Sequence, residues 1–456
     1  MSVAVVLFTS DLRVHDQPVL RAALDGAEEV VPLFVRDPGI AAAGFDAPNR
    51  RAFLADCLAS LDTALSERGG RLVIRSGEPV EQVCRVVRES GARQVHVAAG
   101  VSRYATRREE RLRTELTAAG ATLTVHDAVV TAVPPGQLAP AGRDHFAVFT
   151  PYFRRWDETG RRAVTAAPGS VRVPRIGGEP LPARGAVEGV SPGLAEGGEE
   201  VARERLAAWL DDGIESYEDR HDDLAGDATS RLSPYLHFGC LSPVELVDRA
   251  RRERGAGAAA FVRQLAWRDF HHQVLAARPA SAWSDYRPRG DHWRTDAREI
   301  SAWREGRTGY PVVDAAMRQL AYEGWMHNRG RLLVASFLTK TLYADWRVGA
   351  RHFLDLLVDG DLANNQLNWQ WTAGTGTDTR PNRVLNPLTQ AKRFDAHGDY
   401  VRRWVPELAG VAGAAVHQPW LLDAQDRDRL GYPDPIVDLA EGRDRFFRAR
   451  GLVFRR

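Results

Sequence analysis

Short apolar runs alternating with helical spacings set the architecture of residues 1–130. The first, Val3-Ala-Val-Val-Leu7-Phe8, is wholly apolar and rich in β-branched residues, as a strand covered on both faces of a parallel sheet must be. Similar runs follow at Glu29–Val35, Arg71–Ile74, Gln94–Val97 and Thr122–Val125. Helical patterns separate them at Pro18–Leu24, Arg51–Arg68, Pro79–Ser90 and Thr106–Ala119. Parallel strands need a crossover between them, usually a helix, so the alternation predicts a doubly wound parallel sheet. No G-x-G-x-x-G follows the first run, so the usual dinucleotide fingerprint is absent. Gly374-Thr-Gly376 has no strand before it and reads as a turn.

Residues 131–200 read as an interdomain linker, because 160–200 are rich in Gly, Pro and Ala with no sustained period. Such a composition is expected to bury no core; the segment is either disordered or laid along the surface. Beyond it no strand period returns. Helical candidates are Glu200–Asp211, Pro243–Arg254, Ala258–Ala277, Ala297–Glu305, Tyr310–Glu323, Arg329–Tyr343 and Val348–Val358. The expected fold is therefore α/β over 1–130 and all-α over 201–456, two domains in a chain too long for one core.

No apolar run reaches membrane-spanning length, and the N-terminus lacks a basic region followed by an apolar signal core. A cytoplasmic monomer with no obligate protein partner is the expectation. Cys57, Cys84 and Cys240 are scattered without metal-ligand spacing, so they read as buried small hydrophobes, and no metal site is expected. A net charge of +1 gives no global nucleic-acid signature. Only Lys340 and Lys392 are lysines, which codon bias explains. Arginine forks nevertheless suit phosphates, so any DNA-binding face would be local.

Chemistry concentrates in Asp359-Gly-Asp361-Leu-Ala-Asn364-Asn365-Gln-Leu-Asn-Trp369-Gln-Trp371, where two carboxylates, two adjacent amides and two indoles fall within thirteen residues. Asp and Asn favour turns and caps, so the stretch reads as a loop entering a helix. Trp369 and Trp371, two apart, must serve different neighbours. A polar surface turn with two anchoring indoles is the plain alternative. Upstream, Thr229-Ser230-Arg231-Leu232-Ser233-Pro234 sets hydroxyls and a guanidinium before a helix start, which suits an anion. Its plain alternative is an N-cap supplied by Ser233.

The thirteen-residue stretch resembles the D-G-D-x-x-x-N-x-x-x-W-x-W core of the photolyase/cryptochrome family. The similarity continues through Trp325-Met-His-Asn328-Arg-Gly-Arg331 and Asn386-Pro-Leu-Thr-Gln390, and T-S-x-L-S-P recurs at 229–234. Phe8-Thr-Ser-Asp11-Leu-Arg13 resembles the family's W-F-R-x-D-L-R with two positions altered. This resemblance implies an antenna-binding α/β domain and a helical FAD-binding catalytic domain. It implies light-driven repair of cyclobutane pyrimidine dimers in DNA, in which reduced FAD lends an electron that later returns. Thr229, Ser230, Arg231, Leu232 and Ser233 would meet the FAD diphosphate, with Tyr217, Phe261 and Arg268 lining the site. Arg331 and Asp359 would form an ion pair against the isoalloxazine, beside Gly360, with Asp361 at its polar edge. Asn365 would lie at flavin N5; light-sensing relatives often carry an acid or a cysteine there, so asparagine favours repair. Helix capping is the other reading of Asn365.

Twelve tryptophans are generous, and core packing accounts for most of them. The resemblance assigns Trp369, Trp346 and Trp293 to an electron-transfer triad running out to the surface. Polar flanks at Asp345, Arg347, Asp291, His292 and Arg294 suggest increasing exposure along it. Trp267 and Trp371 would wall a flipped dimer, which stacking surfaces suit. Arg220, Asn328, Arg383 and Gln390 would lie near the lesion or its backbone. Two positions depart from bacterial repair enzymes: Gln264 stands for glutamate and Leu332 for methionine. The loop Asp378-Thr-Arg-Pro381-Asn-Arg383 is one residue shorter than usual.

A (6-4) photolyase would carry adjacent histidines near Asn328 and a histidine in place of Leu332, which this chain lacks. A cryptochrome photoreceptor would extend in a long tail, whereas this sequence stops at Arg456, shortly after Tyr432-Pro-Asp-Pro-Ile436. Without the resemblance, a nucleotide-binding α/β protein fused to a helical adaptor would remain. For the antenna, folate-holding relatives place Asn-Glu shortly after the tyrosine equivalent to Tyr104. Here the residues are Thr106, Arg107 and Arg108, so 8-hydroxy-5-deazaflavin is expected, the alternatives being methenyltetrahydrofolate or none.

Overall fold

The computed structural model describes residues 2–452. Strands β1 (Val3–Phe8), β2 (Glu29–Arg36), β3 (Val73–Ser76), β4 (Gln94–Ala98) and β5 (Thr122–His126) form one sheet in the order β3-β2-β1-β4-β5. All four pairings are parallel, so the doubly wound expectation holds. Every residue of the central β1 is buried, which is why its sequence has no polar alternation. Two neighbouring helices begin before their apolar periodicity does. Pro48 opens Pro48–Ser66, where the missing N–H costs nothing, and Ser102 caps Arg103–Ala118 by accepting from Ala105 N at 3.2 Å.

Packing divides the described chain into two compact units. The first holds residues up to Val190 together with Ala195–Glu218 and Ser230–Pro279; the second holds Ser191–Leu194, Asp219–Thr229 and everything from Ala280 on. These units do not coincide with the compositional boundaries at 130 and 200: the helices Pro243–Arg252 and Ala256–Ala277 belong with the sheet. Arg13, 1% exposed, shows why. Its guanidinium donates to Val129 O at 3.2 Å and Gly239 O at 3.0 Å, while Glu199 accepts from Val14 N at 2.7 Å. The Asp11-Leu-Arg13 signature is thus a fastening inside the first unit.

The linker expectation needs correcting. Residues 131–200 contain a helix, Phe149–Glu158, and the Gly/Pro-rich part is tied to the sheet. Val30 N donates to Arg172 O at 2.8 Å and Glu179 N to Ile74 O at 2.9 Å. Val171 and Ile176 are buried, so a few apolar residues spaced along an irregular chain do join a core without any period to announce them.

The second unit is helical throughout. Its core gathers Trp303, Met317, Leu320, Phe337, Trp346, Phe353 and Trp369. The expected helix Arg329–Tyr343 is Asn328–Ser336 followed by a π turn at Phe337–Thr341. Helices Pro387–Phe394, Asp399–Trp404, Ala424–Leu430 and Leu439–Ala449 complete the unit. Among the described residues no helix is long and apolar enough to cross a membrane.

Candidate flavin and lesion sites

The stretch rich in Asp, Asn and Trp is a loop feeding the helix Leu362–Ala373. Asp361 caps it, its Oδ1 accepting from Asn364 N at 2.7 Å and from Asn364 Nδ2 at 2.8 Å. Asn365 is therefore not the cap. It is buried within the helix, and Nδ2 donates to Ala350 O and to Gln366 Oε1, both at 3.0 Å. With both amide hydrogens spent, only the carbonyl oxygen is left to offer a ligand, and it can only accept. The expected pair is present: Arg331 Nη2 meets Asp359 Oδ2 at 2.8 Å, and Arg331 Nε donates to Met326 O at 2.8 Å. Asp359 Oδ1 is buried with no partner inside the protein. A half-satisfied buried carboxylate is costly unless a ligand donor completes it.

At the second candidate stretch, Ser233 is the first residue of the helix Ser233–Phe238 and Leu232 holds the N-cap position, so the plain reading of Ser233 as the N-cap does not hold. The turn before it is unusual. Arg231 has φ of 51°, uncommon for a residue other than glycine, and Ser230 Oγ accepts from Leu232 N at 3.4 Å. Thr229 Oγ1 is buried without a partner inside the protein. Leu232 is buried. Tyr217 packs edge-on against Trp209 and Phe261, with centroids 5.3 and 5.8 Å away. Arg268 spends donors on Val130 O at 2.6 Å and Leu236 O at 3.3 Å. By unit, Tyr217, Ser230–Ser233, Phe261 and Arg268 fall in the first, and Thr229, Arg331, Asp359, Gly360, Asp361 and Asn365 in the second.

Trp369 and Trp371 do serve different neighbours. Trp369 is buried against Phe353 and Trp303, with centroids 4.9 and 6.0 Å away. Gly349 makes room for it, since a Cβ there would fall 2.2 Å from Trp369 Cη2. Trp371 is half-buried beneath the Arg383 guanidinium, 5.2 Å from its centroid. Trp346 is 0% exposed against 3% for Trp369, which corrects the expected steady gradient. The indole of Trp346 turns in, while its polar flanks Asp345 and Arg347 stay partly exposed, the Arg347 guanidinium lying over the indole. Of Trp369, Trp346 and Trp293, only Trp293 is partly exposed, packed against Tyr343 at 5.0 Å between centroids.

Trp267, in the first unit, is half-buried and stacked flat on Phe149, while Gln264 one turn earlier is exposed. In the second unit Arg220 is exposed beside Asp223, Asn328 is exposed at a helix start and Leu332 is half-buried. Gln390 Oε1 is buried without a partner in the protein. The loop carrying exposed Arg383 is pinned by Lys340, whose Nζ donates to Pro381 O at 2.9 Å and Arg383 O at 2.6 Å. Burial lowers the Lys340 pKa to about 7.

Phe149, Lys340 and Asp285, an acceptor for Trp346, are absent from the expectations. Phe149 sat in a segment read as linker, although Phe149-Thr-Pro-Tyr-Phe153 is dense in rings. Lys340 could have been suspected from the scarcity of lysine.

The chain thus pairs an α/β sheet unit with a helical unit that holds a half-satisfied buried carboxylate. Residues 4–170 match the family model described as DNA photolyase, and residues 261–450 match that described as the FAD binding domain of DNA photolyase. A deoxyribodipyrimidine photo-lyase of Streptomyces griseus is 69% identical over 454 residues, 99% of this chain and 100% of that protein. Among solved structures, a bacterial class III photolyase from Agrobacterium tumefaciens superposes with a TM-score of 0.92 at 32% identity, covering 99% of this chain and 97% of that one. A cryptochrome from Synechocystis gives 0.90 at 30% identity, covering 98% and 99%. The chain belongs to the photolyase/cryptochrome family.

Proposed function

We propose that this protein is a light-dependent deoxyribodipyrimidine photo-lyase that uses FAD to split cyclobutane pyrimidine dimers in DNA. The observation that carries this is the 69% identity, from end to end, with the Streptomyces griseus enzyme. When bound and reduced, FAD supplies an electron on excitation by light. The remaining work falls to side chains. Asp359 Oδ1 and Thr229 Oγ1, both buried and unsatisfied inside the protein, suit a ligand bearing N–H donors and phosphate oxygens.

We assign Thr229, Ser230, Arg231, Leu232 and Ser233 to the diphosphate, and Tyr217, Phe261 and Arg268 to the walls of its site. Arg331, Asp359, Gly360 and Asp361 are assigned to the isoalloxazine. Asn365 Oδ1 would accept a hydrogen bond from a reduced ring's N5–H without adding the charge that an acid at this position would bring. Trp369, Trp346 and Trp293 are assigned to electron supply. Trp267 and Trp371 stack on an extruded dimer, with Arg220, Gln264, Asn328, Leu332, Arg383 and Gln390 beside it or its backbone.

In this reading 1–130 is the antenna domain, 131–200 the connection and 201–456 the catalytic half. The antenna is 8-hydroxy-5-deazaflavin, since Thr106, Arg107 and Arg108 offer no carboxylate to a pterin. The enzyme acts as a cytoplasmic monomer on damaged DNA without an obligate protein partner. Illuminating the purified protein with dimer-containing and with (6-4)-containing oligonucleotides tests the reading. Loss of the dimer alone is expected; loss of the (6-4) lesion alone, or of neither, overturns it.

A further inference from the structure

Trp346 is completely buried, and Nε1, its one polar side-chain atom, donates to Asp285 Oδ1 at 2.8 Å. The same oxygen accepts from Arg347 Nη2 at 2.9 Å. Arg347 continues over the indole, its guanidinium carbon 4.7 Å from the ring centroid, and donates to Trp283 O at 2.7 Å. A buried indole N–H needs an acceptor, but a neutral carbonyl suffices. Trp303, in the same core, uses Val334 O at 3.0 Å. Asp285 supplies something more, a full negative charge against the indole nitrogen.

We propose that Asp285 is a positioning residue for electron supply: its carboxylate stabilises Trp346 in the one-electron-oxidised state, so that charge leaving Trp369 moves outward and does not return. The proposal rests on the reading of Trp369, Trp346 and Trp293 as the electron route. One electron passes from Trp346 to oxidised Trp369, restoring Trp369 and leaving a tryptophan cation radical at 346. An electron from Trp293 then restores Trp346. No bond forms or breaks: the Nε1 proton stays on nitrogen, and the carboxylate keeps its ion pair with Arg347.

Arg347 works in the opposite sense, since a cation over the ring resists a second positive charge there. Distance and solvent decide which wins. Coulombic energy falls with separation, and the carboxylate lies in direct hydrogen-bond contact whereas the guanidinium stands off the ring face. The Arg347 side chain is 39% exposed against 17% for Asp285, so water also screens it more. The net bias stabilises the oxidised ring, and Arg347 keeps that bias shallow enough for the charge to move on.

The test uses the full-length flavoprotein with FAD oxidised, illuminated with a thiol reductant, following flavin reduction and the transient tryptophan radical. Asp285→Asn keeps the size and an acceptor oxygen but removes the charge, and should slow photoreduction about tenfold or more. Asp285→Glu should restore most of the rate, and Arg347→Gln should lengthen the life of the radical at Trp346. Repair by each Asp285 variant already reduced with dithionite should match the parent, which a general folding defect would not allow. If Asp285→Asn photoreduces at the parent rate while Trp346→Phe is inactive, Asp285 only packs and the proposal fails. If the transient radical is the deprotonated form, Asp285 is a base and the proposal fails in that form. If Trp346→Phe photoreduces normally, the route is elsewhere, and both it and the role of Asp285 fall.

Discussion

The indole of Trp267 lies flat on the ring of Phe149, with 3.7 Å between centroids and 5° between planes. Phe149 is itself edge-on to Phe270, and the Arg263 guanidinium stands 4.9 Å from its centroid. One face of Trp267 is therefore occupied within its own unit, and the ring's orientation is set before any substrate arrives. Preorganised stacking lowers the ordering cost of binding. Phe149→Ala should weaken binding of dimer-containing DNA by about two- to tenfold, the range expected for one aromatic pair. Equilibrium titration with a dimer-containing oligonucleotide measures it, and unchanged affinity would show that Trp267 is held by other neighbours.

Gln264 is exposed one helical turn before Trp267. A glutamine there keeps a hydrogen-bond donor but cannot release a proton at neutral pH. Gln264→Leu should lower the repair yield per absorbed photon at saturating substrate, whereas Trp267→Ala should mainly raise the dissociation constant. A Gln264→Leu yield equal to the parent's would leave the residue a spacer.

Lys340 gives a pH dependence whose sign can be worked out. Burial sets its pKa near 7 in the folded protein, against an ordinary value of 10.5. Below about 7 the lysine is charged both folded and unfolded, and the folded state bears the full desolvation cost. Between 7 and 10.5 the unfolded chain holds a proton that the folded chain does not, so this residue's contribution to stability rises with pH across that window. Lys340→Met should lower stability overall by stranding the carbonyls of Pro381 and Arg383. It should also flatten the rise in thermal midpoint above neutrality. A variant with the parent's slope would show that some other group titrates.

Gly349 permits a substitution that leaves the oxidisable rings unaltered. A methyl at this position would overlap Trp369, so Gly349→Ala must displace the indole or the helix. Photoreduction should slow severalfold, because electron transfer depends steeply on ring placement, while the absorption spectrum should still report bound FAD. Unaltered photoreduction with the displacement verified would argue against Trp369 as the first carrier. Trp369→Phe, which removes the oxidisable ring, should abolish light-driven reduction of the flavin.

The sheet was legible because a parallel strand buried on both faces leaves an unbroken apolar run, as at Val3–Phe8. The core of the linker was not, because Val171 is held through its backbone N–H to Arg68 O and Ile176 through the distant Arg71 guanidinium, neither of which leaves a local pattern. In the candidate site, Asp359, Arg331 and Asn365 could be named from the resemblance of their motifs to the family's. What they touch could not: Asp361 rather than Asn365 closes the helix, and the two choices look alike in sequence. Asp285 and Lys340 lie 61 and 41 residues from the groups they serve, beyond any local pattern.

Trp346 is wholly buried and Trp369 nearly so, and Trp293 lies at the edge of the same core. A close-packed interior in which the Asp285–Arg347 pair is fixed by hydrogen bonds reorients little when charge arrives, so passage through it would demand little nuclear rearrangement. At the edge, dipoles of the surrounding liquid turn toward a newly positive ring within picoseconds, and the energy so released is lost as heat. Return would require those dipoles to be turned back first. In the proposed electron route, the dryness that holds the second unit together would therefore also act as a rectifier, making inward back-flow the slow direction.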